Sequence, residues 1–88
     1  MTDIIEVKAL DKYQLHLKFE DGLEGIIDLK TIINFEGIFQ PLLNYDYFSQ
    51  VSVNPNTGTI KWANKADLDP GVLHSIVKKQ TISNHHQS

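Results

Sequence analysis

Eighty-eight residues without a cysteine make one small domain with no disulfide staple, no thiolate nucleophile and no Cys-based zinc site, so packing alone must stabilise it. A net charge of -3, with eight basic residues that are all Lys, argues against a generic nucleic-acid binder, because phosphate and guanine recognition favour clustered Lys and the Arg fork. No apolar run approaches the ~18 residues of a membrane span, and "MTDIIEVKAL" has an acid where a secretory signal has positive charge, so a cytoplasmic protein is expected.

Residues 4–10, "IIEVKAL", read as a strand with Ile5, Val7 and Ala9 inward, and "LDK" as a tight reversal. "YQLHLKF" alternates cleanly, with Tyr13, Leu15, Leu17 and Phe19 on one face and Gln14, His16 and Lys18 on a wet one. The next reversal, "FEDGLEG", sets a register. A two-residue Asp21-Gly22 turn would place Phe19 opposite Glu24, and Leu15 opposite Asp28. A three-residue loop, Glu20-Asp21-Gly22 with Gly22 left-handed, instead matches Phe19 with Leu23, Leu15 with Ile27 and Tyr13 with Leu29, and leaves Gly25 beside Leu17. The second arrangement is expected, as a type I turn closed by a glycine bulge.

From Asp28 to Gln50 the alternation stops. Asp28 can cap a short helical turn through Ile32 and Ile33, while Gly37 and Pro41 forbid a long helix. "GIFQPLLN" and "YDYFSQ" read as short turns that carry Ile38, Phe39, Leu42, Leu43 and Phe48 over the sheet as a lid. "VSVN" and "TIKW" then form a hairpin across Pro55 to Gly58 that pairs Val53 with Ile60 and Val51 with Trp62, for five strands in all.

The stretch "WANKADLDPGVLHSIV", residues 62–77, holds the candidate functional residues. Asp69 before Pro70 signals a helix start, with the carboxylate as cap. Val72, Leu73, Ile76 and Val77 make its apolar stripe, and Lys78 and Lys79 suit its last turn. Asp67 and Asp69 could bind a divalent ion or share acid–base work. With only Asn64 nearby they fall short of the five or more oxygens of a calcium loop, and turn and cap roles are the better reading. Trp62 reads as a core anchor whose N–H finds its partner in Asn64 or the following turn. His16, His74, His85 and His86 have no metal-site spacing, and no catalytic triad, phosphate loop or metal-helix motif occurs.

"LHLKFEDGLEGIIDL", "GIFQPLLNYDYFSQVSVN" and "GTIKWANKADLDPGVL", in that order up to about Leu73, resemble a small bacterial family known as domain-of-unknown-function family 2442. The resemblance implies a small α+β fold and no established activity. After its Trp that family reads Pro-Asn-Gly where this chain has Ala63, Asn64 and Lys65. Either the turn here needs no left-handed residue or Asn64 adopts that conformation. Some members resemble fusions to a helix-turn-helix domain, or lie beside a second small gene as in toxin–antitoxin pairs. With so few residues after the terminal helix an added DNA-binding domain is not expected, so a partner protein is what the resemblance implies.

The expected architecture is α+β: one antiparallel sheet of about five strands under a C-terminal helix, within a single domain over residues 1–80 and followed by a disordered tail, 81–88. The expected function is a non-catalytic interaction module that pairs with a small partner protein or with itself, through Trp62, Asn64, Lys65, Asp67 and Asp69, and needs no cofactor or metal. The wet face of Gln14, His16 and Lys18 is the second-choice surface. The rival is a small-molecule-binding or hydrolytic enzyme using Asp67, Asp69 and His74. A third reading is an antitoxin-like regulator that touches nucleic acid, which would need Lys8, Lys12, Lys18, Lys61, Lys65, Lys78 and Lys79 to gather in space.

Overall fold

Alternation in the second strand organises the first half of the molecule. In the computed structural model, which describes residues 3–87 with side chains through Gln80, β1 (Ile4–Leu10), β2 (Gln14–Phe19) and β3 (Glu24–Asp28) form an antiparallel meander. Leu15, Leu17 and Phe19 are fully buried on its inner face. Leu15 lies opposite Ile27 and Leu17 opposite Gly25, as the register argument requires. The Phe19 amide bonds to the Leu23 carbonyl at 2.8 Å, and Gly22 sits at φ 93° with its amide on the Phe19 carbonyl at 3.0 Å. The three-residue bulged turn is therefore present.

Two details of this sheet differ from the sequence reading. An irregularity between Ile4 and Glu6 turns Ile4 inward and leaves Ile5 about half exposed, at 48%. Val7 and Ala9 still face the core. Tyr13 belongs to the reversal, at φ 62° next to Lys12 at φ 60°, and has no ladder partner in β3. Its ring nonetheless reaches inward, 5.3 Å from both Phe35 and Phe48. That packing offsets the cost of a left-handed aromatic residue.

Asp28 caps the following turn, accepting the Lys30 amide at 3.0 Å. The lid comprises a 3-10 segment (Gly37–Leu43) and α1 (Tyr45–Phe48), and it buries Leu42 and Phe48 completely. Strand β4 (Ser52–Asn54) pairs with β5 (Thr59–Lys61), with Val53 opposite Ile60. A further strand, β6 (Asp67–Leu68), joins the far edge of β5. The described residues thus hold six strands in two three-stranded sheets, in place of one sheet of five. The sheets meet where the Ile4 amide bonds to the Gly58 carbonyl at 2.9 Å. A β-carbon at Gly58 would stand 2.8 Å from the Asp3 Cα, so only glycine admits this approach.

The helix α2 (Pro70–Gln87) lies against β3, with Leu73 and Val77 buried. Val77 fills the gap at Gly25. Val72, expected on the buried stripe, is 52% exposed. The helix runs past the boundary set at residue 80. Its side chains from 81 onward, and Ser88, lie outside the described residues, as does the expectation for the tail that rests on them. No described helix is long and apolar enough to cross a membrane.

Candidate interaction surface

The turn between β5 and β6 repeats the turn between β2 and β3 bond for bond. The Trp62 amide bonds to the Ala66 carbonyl at 2.9 Å, and the Lys65 amide to the Trp62 carbonyl at 3.0 Å, matching the Phe19–Leu23 and Gly22–Phe19 bonds. The middle residues match as well. Asp21 Oδ1 accepts the Leu23 amide at 2.9 Å and Asn64 Oδ1 accepts the Ala66 amide at 3.1 Å. Lys65 occupies the place of Gly22, at φ 71°. Neither sequence-based alternative for this turn holds: a left-handed residue is needed, and Lys65, not Asn64, supplies it.

Asn64 also ties the turn to the lid. Its Nδ2 donates to the Ile38 carbonyl at 2.7 Å, and its amide donates to the Tyr47 hydroxyl at 2.7 Å. Trp62 is buried, stacked against Phe48 with centroids 6.3 Å apart. Its Nε1–H donates to the Phe48 carbonyl at 2.9 Å, so its partner lies in α1 rather than in the following turn. Trp62 is thus an anchor beneath the surface, while Lys65, Asp67 and Asp69 are exposed on it and Asn64 is half-buried.

Asp67 sits opposite Lys61 in the ladder, an arrangement of opposite charges that favours pairing. Asp69 begins the helix with its backbone carbonyl, which accepts the Leu73 amide at 3.2 Å. Its carboxylate stays over the first turn, within 3.4 Å of where a Gly71 β-carbon would stand. Among the described residues no first-turn amide is shown bonded to that carboxylate, so the expected side-chain cap is not formed.

His74 is bonded to neither of this pair. Its Nε2 lies 2.7 Å from Asp21 Oδ2 and its ring stands edge-on to Phe19, which fastens α2 to the β2–β3 turn. The Leu23 amide, and after it the His74 hydrogen bond, hold the Asp21 carboxyl below its ordinary value. His16 pairs with Glu24 at 3.0 Å on the wet face. No group of three or more His, Asp or Glu that could hold a metal ion occurs among the described residues. A half-open hollow of ≈ 210 Å³ lies at the sheet junction, lined by Asp3, Ile5, Glu20 and Pro55 among others, and neither Asp67 nor Asp69 reaches it.

The lid supplies what the sequence reading missed. Ile38 is 50%, Leu43 51% and Tyr45 40% exposed. In a 3-10 segment residues three apart share a line, so Phe39 and Leu42 turn inward and their apolar neighbours are left outside. Three residues per turn, together with Pro41 inside the segment, was the signal available. Of these three, Ile38 and Leu43 have carbonyls held from other elements, Ile38 by Asn64 and Leu43 by the Tyr13 hydroxyl.

Two antiparallel three-stranded sheets closed by one helix, with a bonded lid and a bulged turn beside it, define a small α+β domain. The chain belongs to the family described as protein of unknown function (DUF2442), which it matches over residues 4–78. No curated protein and no solved structure matches it.

Proposed function

We propose that this chain is a non-catalytic, cytoplasmic interaction module that pairs with a small partner protein or with a second copy of itself. The contact surface is the lid together with the exposed residues of the bulged turn: Ile38 joined to Asn64 beside Lys65, Leu43 and Tyr45 at the Tyr13 and Leu10 end of the lid, and Asp67 and Asp69. One observation carries the reading. Two apolar side chains stand half exposed on backbone whose own carbonyls are bonded to Asn64 and to Tyr13, so the lid's main chain is already ordered before a partner arrives. The enzymatic rival is the weaker reading, since Asp67 and Asp69 are exposed and outside the hollow at the sheet junction, and His74 is bonded to Asp21.

The test is co-expression with the product of the neighbouring gene, and light scattering of the chain alone. The wild-type chain is expected to co-purify with that product or to run as a dimer. The Ile38→Asp, Leu43→Asp double variant should keep its circular dichroism spectrum and lose the association. A wild-type chain that stays monomeric at micromolar concentration and retains nothing from its host would sink the proposal.

A further inference from the structure

The β2–β3 ladder determines which backbone groups are left over. Phe19 and Leu23 are a hydrogen-bonded pair, so by antiparallel alternation Leu17–Gly25 and Leu15–Ile27 are bonded too, while Lys18–Glu24 and His16–Ile26 are not. The amide and carbonyl groups of Glu24 and Ile26 therefore point away from β2, out of the free side of the last strand in the order β1-β2-β3. Among the described residues no backbone hydrogen bond from outside the sheet reaches them. Helix α2 meets this strand on its inner face, at Gly25.

From Glu24 to Asp28 this edge has no Pro or Lys, and beyond the bulged turn its ladder with β2 runs without a register shift; its charges are all acidic. Its outer face presents Glu24, Ile26 and Asp28, with Ile26 46% exposed. Charge says what fits beside it. Across the sheet, Glu6 lies opposite Lys18 and Lys18 opposite Glu24, an alternation of minus, plus and minus that a positive side chain would continue; Glu24 also pairs with His16, and Asp28, which caps the next turn through one oxygen, adds a second negative charge along the strand. A second copy is a poor occupant. The antiparallel register that uses all five residues sets Glu24 against Asp28 twice, and like charges directly opposite one another are destabilising.

We propose that the free edge of β3 accepts an extended segment of a partner protein, one in which an apolar residue is flanked two positions away on each side by Lys or Arg. The backbone groups of Glu24 and Ile26 supply the ladder, Ile26 meets the central apolar residue, and Glu24 and Asp28 select the basic flanks. This inference goes beyond the lid surface and needs neither Ile38 nor Leu43.

The probes are two acetylated, amidated peptides, TKTVTKT and TETVTET, titrated into isotope-labelled full-length protein and followed by backbone amide shifts. The lysine peptide should shift the amides of Glu24 and Ile26 and bind at least roughly tenfold more tightly than the glutamate peptide. Ile26→Pro removes an outward amide that the ladder to β2 does not use, and should cost roughly tenfold or more in lysine-peptide affinity. Glu24→Lys should narrow or reverse the preference between the peptides, and it decides the matter if the proline variant fails to fold. Equal affinity for the two peptides, shifts confined to other elements, or a folded Ile26→Pro chain that binds like the wild type would overturn the proposal. So would concentration-dependent shifts at these amides without peptide, which would make a second copy the occupant. The Ile38→Asp, Leu43→Asp variant should bind the lysine peptide normally, so failure of one proposal is distinguishable from failure of the other.

Discussion

Lys65→Gly should stabilise the protein, and its twin turn supplies the control. A left-handed residue with a β-carbon costs roughly 1–2 kcal/mol, and glycine returns about 0.5–1 kcal/mol of that through its larger unfolded-state entropy. The Lys65 side chain is exposed and makes no ion pair among the described residues, so little else is lost on removing it. The net gain is about 0.5–1 kcal/mol, or ~3–6 °C in Tm for a domain of this length. Gly22→Lys should cost a similar amount, because the turn has the same bonds and nothing lies within 4 Å of where its β-carbon would stand. Thermal melts by circular dichroism, with urea midpoints as a check, measure both. A Lys65→Gly chain no more stable than the wild type, or a Gly22→Lys chain that loses nothing, would refute the claim that backbone conformation governs these positions.

Trp62→Phe removes the shorter of the two bonds on the Phe48 carbonyl, leaving the Val51 amide at 3.3 Å, and also leaves a small void. Together these should lower the unfolding free energy by about 2 kcal/mol in urea. Gly25→Ala sets a β-carbon 2.8 Å from Val77 Cγ1, a branched side chain that cannot swing aside, for a cost of about 1–3 kcal/mol. The Gly25→Ala, Val77→Ala double variant should cost less than the two single changes added together, and strict additivity would rule out the contact. Asn64→Ala drops the bonds to Ile38 and Ala66, should destabilise by about 1–2 kcal/mol, and should speed hydrogen exchange in the lid while β2 stays protected. The Asp21 carboxyl is held below its ordinary 3.8 in the folded state. Its stabilising contribution is therefore complete above the unfolded value and fades as pH falls through the lower folded one. Urea midpoints should accordingly drop less steeply on acidification below about pH 4 in Asp21→Asn than in the wild type.

The first sheet was legible because two signals agreed. Period-two alternation gave the face of β2, and a glycine at the third loop position gave the register of β3. Where one signal was missing, so was the element. The β5–β6 turn carries the same Asx bond and the same backbone bonds, but its left-handed position is filled by Lys65, a residue type that carries no turn signal, and β6 is only two residues long. The inner set of β1 was misread at one residue for a related reason. "IIE" offers two adjacent Ile, and the irregularity between Ile4 and Glu6 decides which turns inward.

The candidate site was legible only as a place along the chain. Trp62 could be identified as buried from its register, yet the carbonyl that takes its N–H lies fourteen residues upstream in α1, and no local pattern encodes a contact of that range. The same holds for Asn64. As a turn residue it was readable; as the bolt that holds Ile38 in the open it depends on where the lid comes to rest. A strained Lys65 survives because its neighbour makes those bonds, so the conformational cost of the turn and the stiffness of the lid surface are two sides of one arrangement. Relieving the strain with glycine should therefore leave the lid in place, whereas deleting the Asn64 side-chain amide should loosen it at Ile38 and leave the Leu43 end, bonded through Tyr13, as it is.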